Sequence, residues 1–89
     1  MNYKQLILVG SDENQIEYLN NQKSYINTHF PLLDIIVVDE THEYNTTFNP
    51  DVNRYPFILL LKNGSKKDCV NAKLNSETLL KWLVNNSVK

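Results

Sequence analysis

The single cysteine, Cys69, is the first residue of this sequence that could support redox chemistry. One cysteine can form neither an internal disulfide nor a two-thiol redox centre. The neighbouring Lys66 and Lys67 could favour its thiolate, which would make it a peroxidatic or mixed-disulfide thiol. A thiol within a β-strand is otherwise a small, partly buried and inert side chain. We expect the inert role and keep a single-cysteine enzyme as the alternative.

A second group of reactive side chains consists of Asp39, Glu40, His42 and Glu43. These residues follow one another along a polar segment. They lack the two separated ligand pairs that are typical of structural zinc sites. We therefore expect a solvated acidic turn, and we predict neither a metal nor a cofactor.

The remaining candidates for catalysis have no partners that the sequence can place. No histidine can be assigned to Ser11 as a general base, and His29 has no adjacent nucleophile. The chain contains only Gly10 and Gly64, so neither glycine-rich phosphate-binding motif is present. We therefore predict that the protein is not an enzyme.

Composition limits the class of protein further. The chain has 89 residues, enough for one domain spanning residues 1–89. A net charge of −1 does not favour nucleic-acid binding. The longest apolar run, residues 57–61, is far shorter than the ~18 residues that cross a bilayer. With no apolar leader at the start, we expect a cytoplasmic protein without membrane contact.

A further bias concerns the asparagines and lysines. The sequence contains thirteen asparagines, and eight lysines against the single Arg54. Asparagine, lysine and isoleucine share A/T-rich codons. This bias favours the hypothesis that the chain comes from a phage or large DNA virus, where it could be associated with the virion.

The first half of the chain predicts a β-α-β unit. Lys4–Gly10 is a nearly continuous apolar run that is typical of a strand buried on both faces. Asp12 can cap the helix that follows, with Gln15 reaching back in a capping box. Apolar residues then recur at helical spacing until Pro31. Residues 32–39 are rich in β-branched side chains and predict a second buried strand, parallel to the first.

The second half predicts a β-hairpin followed by a helix. Residues 49–51 predict a short helical turn, with Asn49 as its cap and Pro50 at its first position. Phe57–Lys62 is the third strand, and an Asn-Gly pair favours a tight turn into an edge strand over residues 66–71. Asn75 or Ser76 then caps a last helix whose leucines and Trp82 face the sheet.

From Tyr55 onward the sequence resembles the C-terminal half of thioredoxin. The family's proline, strand and Lys-Asn-Gly occur without a gap at residues 56–64. Leu74 matches the leucine that the family keeps before its last helix, and Leu79, Trp82 and Leu83 match core positions of that helix. The resemblance implies an α/β, minimal thioredoxin-like fold. Its expected order is β-α-β-β-β-α with a short helical turn before the third strand, in a four-stranded mixed sheet flanked by helices. It also implies that Pro56 is the family's cis-proline.

The sequence departs from the family where the family is reactive. Thioredoxins place Cys-x-x-Cys between the first strand and the first helix, where the helix N-terminus lowers the pKa of the first thiol. Here that position is occupied by Ser11, Asp12, Glu13 and Asn14. Exchange between two thiols of one chain is therefore excluded. Ala72 replaces the family's glycine before the last helix.

The resemblance also implies a docking surface for a protein partner. In thioredoxin-like domains the backbone before the proline pairs with an extended segment of the partner. Its expected components here are Ser11, Asp12, Glu13, Asn14, Arg54, Tyr55, Pro56, Ala72 and Lys73. Nearby aromatic residues could contribute apolar contact area, or they could only close the end of the sheet. We therefore predict a redox-inactive protein that acts through protein–protein contact.

Overall fold

A computed structural model describes residues 3–89, which form four strands and three helices. The elements are β1 (Lys4–Gly10), α1 (Glu13–His29), β2 (Asp34–Asp39), α2 (Glu43–Phe48), β3 (Phe57–Lys62), β4 (Ser65–Val70) and α3 (Ser76–Asn85). The strands form one sheet in the order β2-β1-β3-β4. β1 is parallel to β2 and antiparallel to β3, and β3 is antiparallel to β4. The predicted α/β fold with a four-stranded mixed sheet is confirmed.

The two central strands, β1 and β3, are buried on both faces of the sheet. Leu6 and Leu8 of β1 point into a core that includes residues of α1 and α3. Ile7 and Val9 point to the opposite face, into a smaller core that is partly covered by Tyr44 of α2 and other aromatic residues. This two-sided burial explains why both strands are continuous apolar runs rather than alternating ones.

β2 differs from its prediction in both its start and its burial. The strand begins at Asp34, because residues 31–33 form a turn after α1 in which Leu32 is 96% exposed. β2 lies at an edge of the sheet, where Ile35 is its only buried residue within the part of the chain that the structure describes. The sequence did not distinguish this edge strand from a central one, because its β-branched residues suit both positions.

The capping of α1 follows the prediction with one change of partner. Asp12 Oδ1 accepts a hydrogen bond from the Gln15 N–H at 2.8 Å, so Asp12 is the N-cap. The Gln15 side chain reaches back to Ser11 rather than to Asp12, since its Oε1 accepts from the Ser11 N–H at 2.8 Å. The helix ends at His29, before Pro31.

The predicted helical turn at residues 49–51 is wrong. The helix in this region is α2, which His42 caps: its Nδ1 accepts a hydrogen bond from the Tyr44 N–H at 3.1 Å. Asn49 is the C-cap of α2, and its Oδ1 accepts from the Asp51 N–H at 2.9 Å in a side-chain turn. Asparagine favours both arrangements, so the sequence could not separate a helix start from a turn after a helix.

The C-terminal hairpin and helix follow the sequence closely. Asn63 and Gly64 have φ angles of 52° and 83°, as a two-residue turn of this type requires. β4 starts and ends one residue earlier than predicted and lies at the second edge of the sheet. Asn75 is the N-cap of α3, accepting from the Thr78 N–H at 2.8 Å.

Within residues 3–89, none of the helices has the length and apolar character needed to cross a bilayer.

Candidate functional site

A cleft of about 200 Å³ lies where α1 begins and β3 begins. β1 leads into α1 at its carboxyl end, and β3 runs antiparallel to β1 with Phe57 opposite Val9. The start of α1 and the residue before β3 therefore meet at the same end of the sheet, where β1 finishes and β3 begins. The cleft is lined by Asp12, Asn14, Gln15, Tyr18, Pro56 and Lys73. The Tyr55–Pro56 peptide bond is cis.

The structure brings four of the nine expected site residues together in this cleft, namely Asp12, Asn14, Pro56 and Lys73. The other five lie within two positions of these residues in the chain and do not line the cleft; they are Ser11, Glu13, Arg54, Tyr55 and Ala72.

Sequence reasoning missed two lining residues, Gln15 and Tyr18. The sequence predicts Gln15 only as a partner in the helix cap, and Tyr18 is not among the predicted site residues. The available signal was helical spacing, because Tyr18 follows Asn14 by four residues and so lies on the same face of α1.

Tyr18 forms one wall of the cleft, and hydrogen bonds fix its position. Its hydroxyl donates to the Leu74 carbonyl oxygen at 3.0 Å, and the buried Gln22 side chain donates to the same oxygen at 2.6 Å. The Lys73 ammonium lies 4.6 Å from the centre of the Tyr18 ring, within the range of a cation–π interaction. A positive charge is thus held at one rim of the cleft.

The loop that leads to Pro56 is held by the side-chain amide of Asn45. Asn45 is only 2% exposed. Its Nδ2 donates to the Glu40 carbonyl oxygen and to the Tyr55 hydroxyl, both at 2.9 Å. Its Oδ1 accepts from Asn49 Nδ2 at 2.8 Å. Both N–H donors and the carbonyl oxygen of this buried amide are therefore engaged, which fixes α2 against the loop.

A second amide ties the same loop to the sheet. Asn71, which follows β4, donates from Nδ2 to Asn49 Oδ1 at 2.8 Å and to the Arg54 carbonyl oxygen at 3.1 Å. The Arg54 N–H donates to the Asp51 carbonyl oxygen at 3.1 Å. Arg54 thus has both backbone groups engaged. The N–H and C=O of the next residue, Tyr55, take no part in the hydrogen bonds of residues 3–89.

Negative charge lies at the start of α1, where Asp12 lines the cleft. Asp12 and Glu13 are exposed at the N-terminus of α1, where carboxylates are favoured by the helix dipole. Asp39, near the end of β2, lies outside this cleft and lines a separate one with Thr41 and His42. Its Oδ1 accepts hydrogen bonds from the Thr41 hydroxyl at 2.5 Å and the Thr41 N–H at 2.8 Å. These bonds lower the pKa of Asp39 from its ordinary value. Because Asp12 itself caps the helix, an anion cannot occupy that position.

The Cys69 thiol is not part of the cleft. Cys69 lies on β4 opposite Leu59, and it packs against the smaller core on the face of the sheet that is remote from α1. It is partly buried. Among residues 3–89, no group of three or more histidine, cysteine and acidic side chains lies close enough to hold a metal ion.

Comparison with known proteins relates the chain to solved structures only. No protein-family model and no curated protein sequence matches it. A thioredoxin-2 from the malaria parasite superposes with a TM-score of 0.72 at 15% identity, covering 94% of this chain and 84% of that chain. The N21Q mutant thioredoxin of Halobacterium salinarum gives a TM-score of 0.73 at 14% identity, covering 99% and 77% respectively.

Mitochondrial thioredoxin 3 of Saccharomyces cerevisiae gives a similar result. Its TM-score is 0.71 at 15% identity, covering 96% of this chain and 80% of that chain. The thioredoxin-like fold that the sequence predicted is therefore confirmed. It occurs here with one cysteine, so no Cys-x-x-Cys motif is present.

Proposed function

We propose that this thioredoxin-like chain is redox-inactive and acts by binding another protein, as an adaptor, an assembly factor or a structural subunit of a larger particle. The observation that carries the proposal is the composition of the cleft beside Pro56. A carboxylate caps α1 where a dithiol relative has sulfur, and the one thiol packs on the other face of the sheet. The residues that line the cleft include no sulfur atom for disulfide exchange, which supports a role in contact.

The free backbone groups of Tyr55 support an extended partner segment. A residue with an unpaired N–H and C=O beside a sheet can add a strand from another chain, and those main-chain hydrogen bonds supply affinity without demanding a particular sequence. Asn45 and Asn71 hold this loop in place before binding. A preorganised loop loses little conformational entropy when a partner docks.

The charges around the cleft specify the character of that segment. Asp12 and Glu13 lie exposed on the α1 side, whereas the Lys73 ammonium is engaged over Tyr18. We therefore expect the partner segment to place a basic side chain near Asp12 and Glu13. Complementary charge of this kind increases the association rate and fixes orientation.

Site-specific photo-crosslinking in cells that naturally produce the protein tests the proposal. A photoreactive phenylalanine analogue at Asn14, an exposed residue of the cleft, should give one discrete crosslinked product. The same analogue at Ser24, an exposed residue farther along α1, is the matched control. Equal products at both positions, or a monomer with no product at Asn14, would contradict a docking role for the cleft.

The alternative, a single-cysteine or glutathione-dependent oxidoreductase using Cys69, has a separate test. Insulin and hydroxyethyl-disulfide reduction should not exceed the background rate for the wild-type protein or for Cys69→Ser. Activity in the wild type that is lost in Cys69→Ser would favour the enzyme. Activity that survives the substitution would indicate a contaminant.

The proposed source is a phage or large DNA virus, and the protein could then be associated with the virion. The support is compositional: thirteen asparagines, and eight lysines against one arginine. The identity of the neighbouring genes tests this part of the proposal. Virion genes are expected there, whereas a chromosomal metabolic operon would overturn it.

A further inference from the structure

We call the cleft beside Pro56 the docking cleft. A larger cleft, of about 480 Å³, lies at the other end of the sheet. Lys4 begins β1 and Lys62 ends β3, and the two residues are direct cross-strand partners. Lys67 of β4 and Lys89 also line the cleft. We call it the lysine cleft, after these four residues. They are four of the nine lysine and arginine residues in the chain.

Within the part of the chain that the structure describes, none of the four ammonium groups forms an ion pair with a carboxylate. The ion pairs formed within residues 3–89 are Arg54 with Asp51 and Lys81 with Glu77, both elsewhere on the molecule. Like charges directly opposite each other on neighbouring strands destabilise a sheet, so the Lys4–Lys62 pair is unfavourable by itself. The fold thus tolerates a concentration of positive charge at this end of the sheet.

Two of these lysines are held in place by backbone carbonyls. Lys4 Nζ donates to the Ser87 carbonyl oxygen at 3.1 Å, and Lys67 Nζ donates to the Asn86 carbonyl oxygen at 2.5 Å. An ammonium group has three donors, so each keeps further N–H groups free for a ligand. Partial desolvation, then repulsion from Lys67, Lys62 and Lys89, lower the pKa of Lys4.

The remaining walls of the cleft are partly apolar. Leu33 and Val88 are buried beneath it, and Leu32 stands exposed at its edge. The volume falls within the range of small-molecule sites, roughly 300–1,000 Å³. Several ammonium groups around an apolar base match a compact ligand with more than one phosphate group and an apolar portion. An extended polymer would use only part of such a concave site.

We propose that the lysine cleft binds a small molecule bearing two or more phosphate groups. The phosphate oxygens accept charge-assisted hydrogen bonds from Lys4, Lys62 and Lys67, which offset the repulsion among these side chains. The apolar portion of the ligand packs near Leu33 and Val88. This inference is independent of the proposed protein-docking function, because the two clefts lie at opposite ends of β1.

Titration with inorganic tripolyphosphate at constant ionic strength, followed by NMR of backbone amides, tests the proposal. We expect saturable shifts confined to residues around the lysine cleft. In the double variant Lys4→Gln/Lys62→Gln, affinity should fall by about tenfold or more, because two charged donors are lost. The variant Lys4→Arg/Lys62→Arg keeps both charges and should retain most of the affinity.

The matched control is Lys23→Gln/Lys81→Gln, which removes the same charge from α1 and α3. It should leave tripolyphosphate affinity unchanged, and circular dichroism should show all variants folded. An equal loss in the control pair, or shifts without saturation, would overturn the proposal in favour of nonspecific attraction. A different outcome would be that the protein binds single-stranded DNA through Lys4 and Lys62 but does not bind tripolyphosphate. That result would overturn the proposal and indicate a nucleic-acid site.

Discussion

At the scale of single residues, the conformation of the loop before Pro56 is held by the uncharged, buried side chain of Asn45. Asn45 engages three groups from three parts of the chain while remaining 2% exposed. A buried amide with all its partners adds only modestly to stability. Removing it leaves those partners unsatisfied and costs more than the bonds contributed.

We therefore predict that Asn45→Ala lowers the free energy of unfolding by about 2 kcal/mol, through the loss of hydrogen bonds to buried groups. Urea denaturation measures the change. Asn53→Ala is the control, since Asn53 is exposed in the same loop and its substitution should cost less than about 0.5 kcal/mol. Equal effects of the two substitutions would show that the Asn45 network does not stabilise the fold.

A second prediction concerns Asp39. Hydrogen bonds from the Thr41 hydroxyl and N–H lower the pKa of Asp39 below its ordinary value of 3.8. A lowered pKa contributes stability that is fully present above that ordinary value and is lost as the pH falls through the lower, folded-state pKa. Thr41→Val removes the hydroxyl, so the pKa of Asp39 should rise towards 3.8.

NMR titration of the Asp39 carboxyl carbon checks this shift. Thr46→Val is the control, because the Thr46 hydroxyl donates to the Glu43 carbonyl oxygen and not to Asp39. An unchanged pKa of Asp39 in Thr41→Val would mean that the hydroxyl does not stabilise the carboxylate.

The roles of single residues could be predicted from the sequence where they depend only on residues a few positions away in the chain. The cap at Asp12 was predicted, and the cap of α3 was narrowed to Asn75 or Ser76, because a capping side chain and the N–H that it receives are three residues apart. The role of Asn45 was not found, because its partners Glu40 and Tyr55 are brought to it only by the folded chain. Thirteen asparagines also gave no indication of which one would be buried.

At the scale of elements, the junction between β1 and α1 depends on Gly10. A Cβ atom at this position would lie 2.9 Å from Ile16 Cγ1 and 3.1 Å from the Ile16 backbone nitrogen. The absence of a side chain therefore lets α1 start directly against the end of β1. This close approach places Asp12 and Asn14 at the cleft.

We predict that Gly10→Ala lowers the free energy of unfolding by about 1–3 kcal/mol, because the added methyl group overpacks this junction. Gly64 is a useful comparison, since an added Cβ there meets nothing within 4 Å while φ is +83°. Gly64→Ala should cost about 1 kcal/mol through conformation alone, and Gly64→Asn should restore most of it. Thermal or urea denaturation measures all three. A neutral Gly10→Ala would show that the junction can relax.

The helices and strands could be predicted where burial gives them a distinctive pattern of apolar residues. β1 and β3 were found because both faces are buried and the sequence is continuously apolar. α2 was missed because six residues provide too few turns to establish a helical period, and its sequence includes two threonines. The edge position of β2 was missed because it follows from strand order, which the strand itself does not encode.

At the scale of the whole molecule, the buried side chains are unevenly divided between the two faces of the sheet. α1 and α3 cover one face, whereas the other is covered by the short α2 and a loop. Elements with few buried side chains open locally without global unfolding. The loop that leads to Pro56 packs on the face with the smaller core.

We predict that the amides of α2 exchange with solvent about 100-fold faster than those of β1 and β3, because α2 can open by itself. Hydrogen exchange measured by mass spectrometry tests this. Low urea concentrations should accelerate exchange in β1 but have little effect on α2. Equal protection and equal urea dependence would mean that the molecule opens only as a unit.

The docking cleft was partly predictable at this scale, whereas the lysine cleft was not. The start of α1 and Pro56 were assigned to one site through the resemblance to thioredoxin. Lys4, Lys62, Lys67 and Lys89 are scattered over the sequence and meet only through the strand pairing. A net charge of −1 also concealed their concentration at one end.

The central position of β1 has a consequence for synthesis on the ribosome. β1 is made first, yet one of its edges pairs with β3, as the partnership of Lys4 with Lys62 shows. Residues 4–10 therefore leave the exit tunnel long before that partner, and the nascent chain presents an unsatisfied apolar strand in the interval. Slow translation between the codons for residues 40 and 56 would prolong this exposure and increase the demand for chaperones.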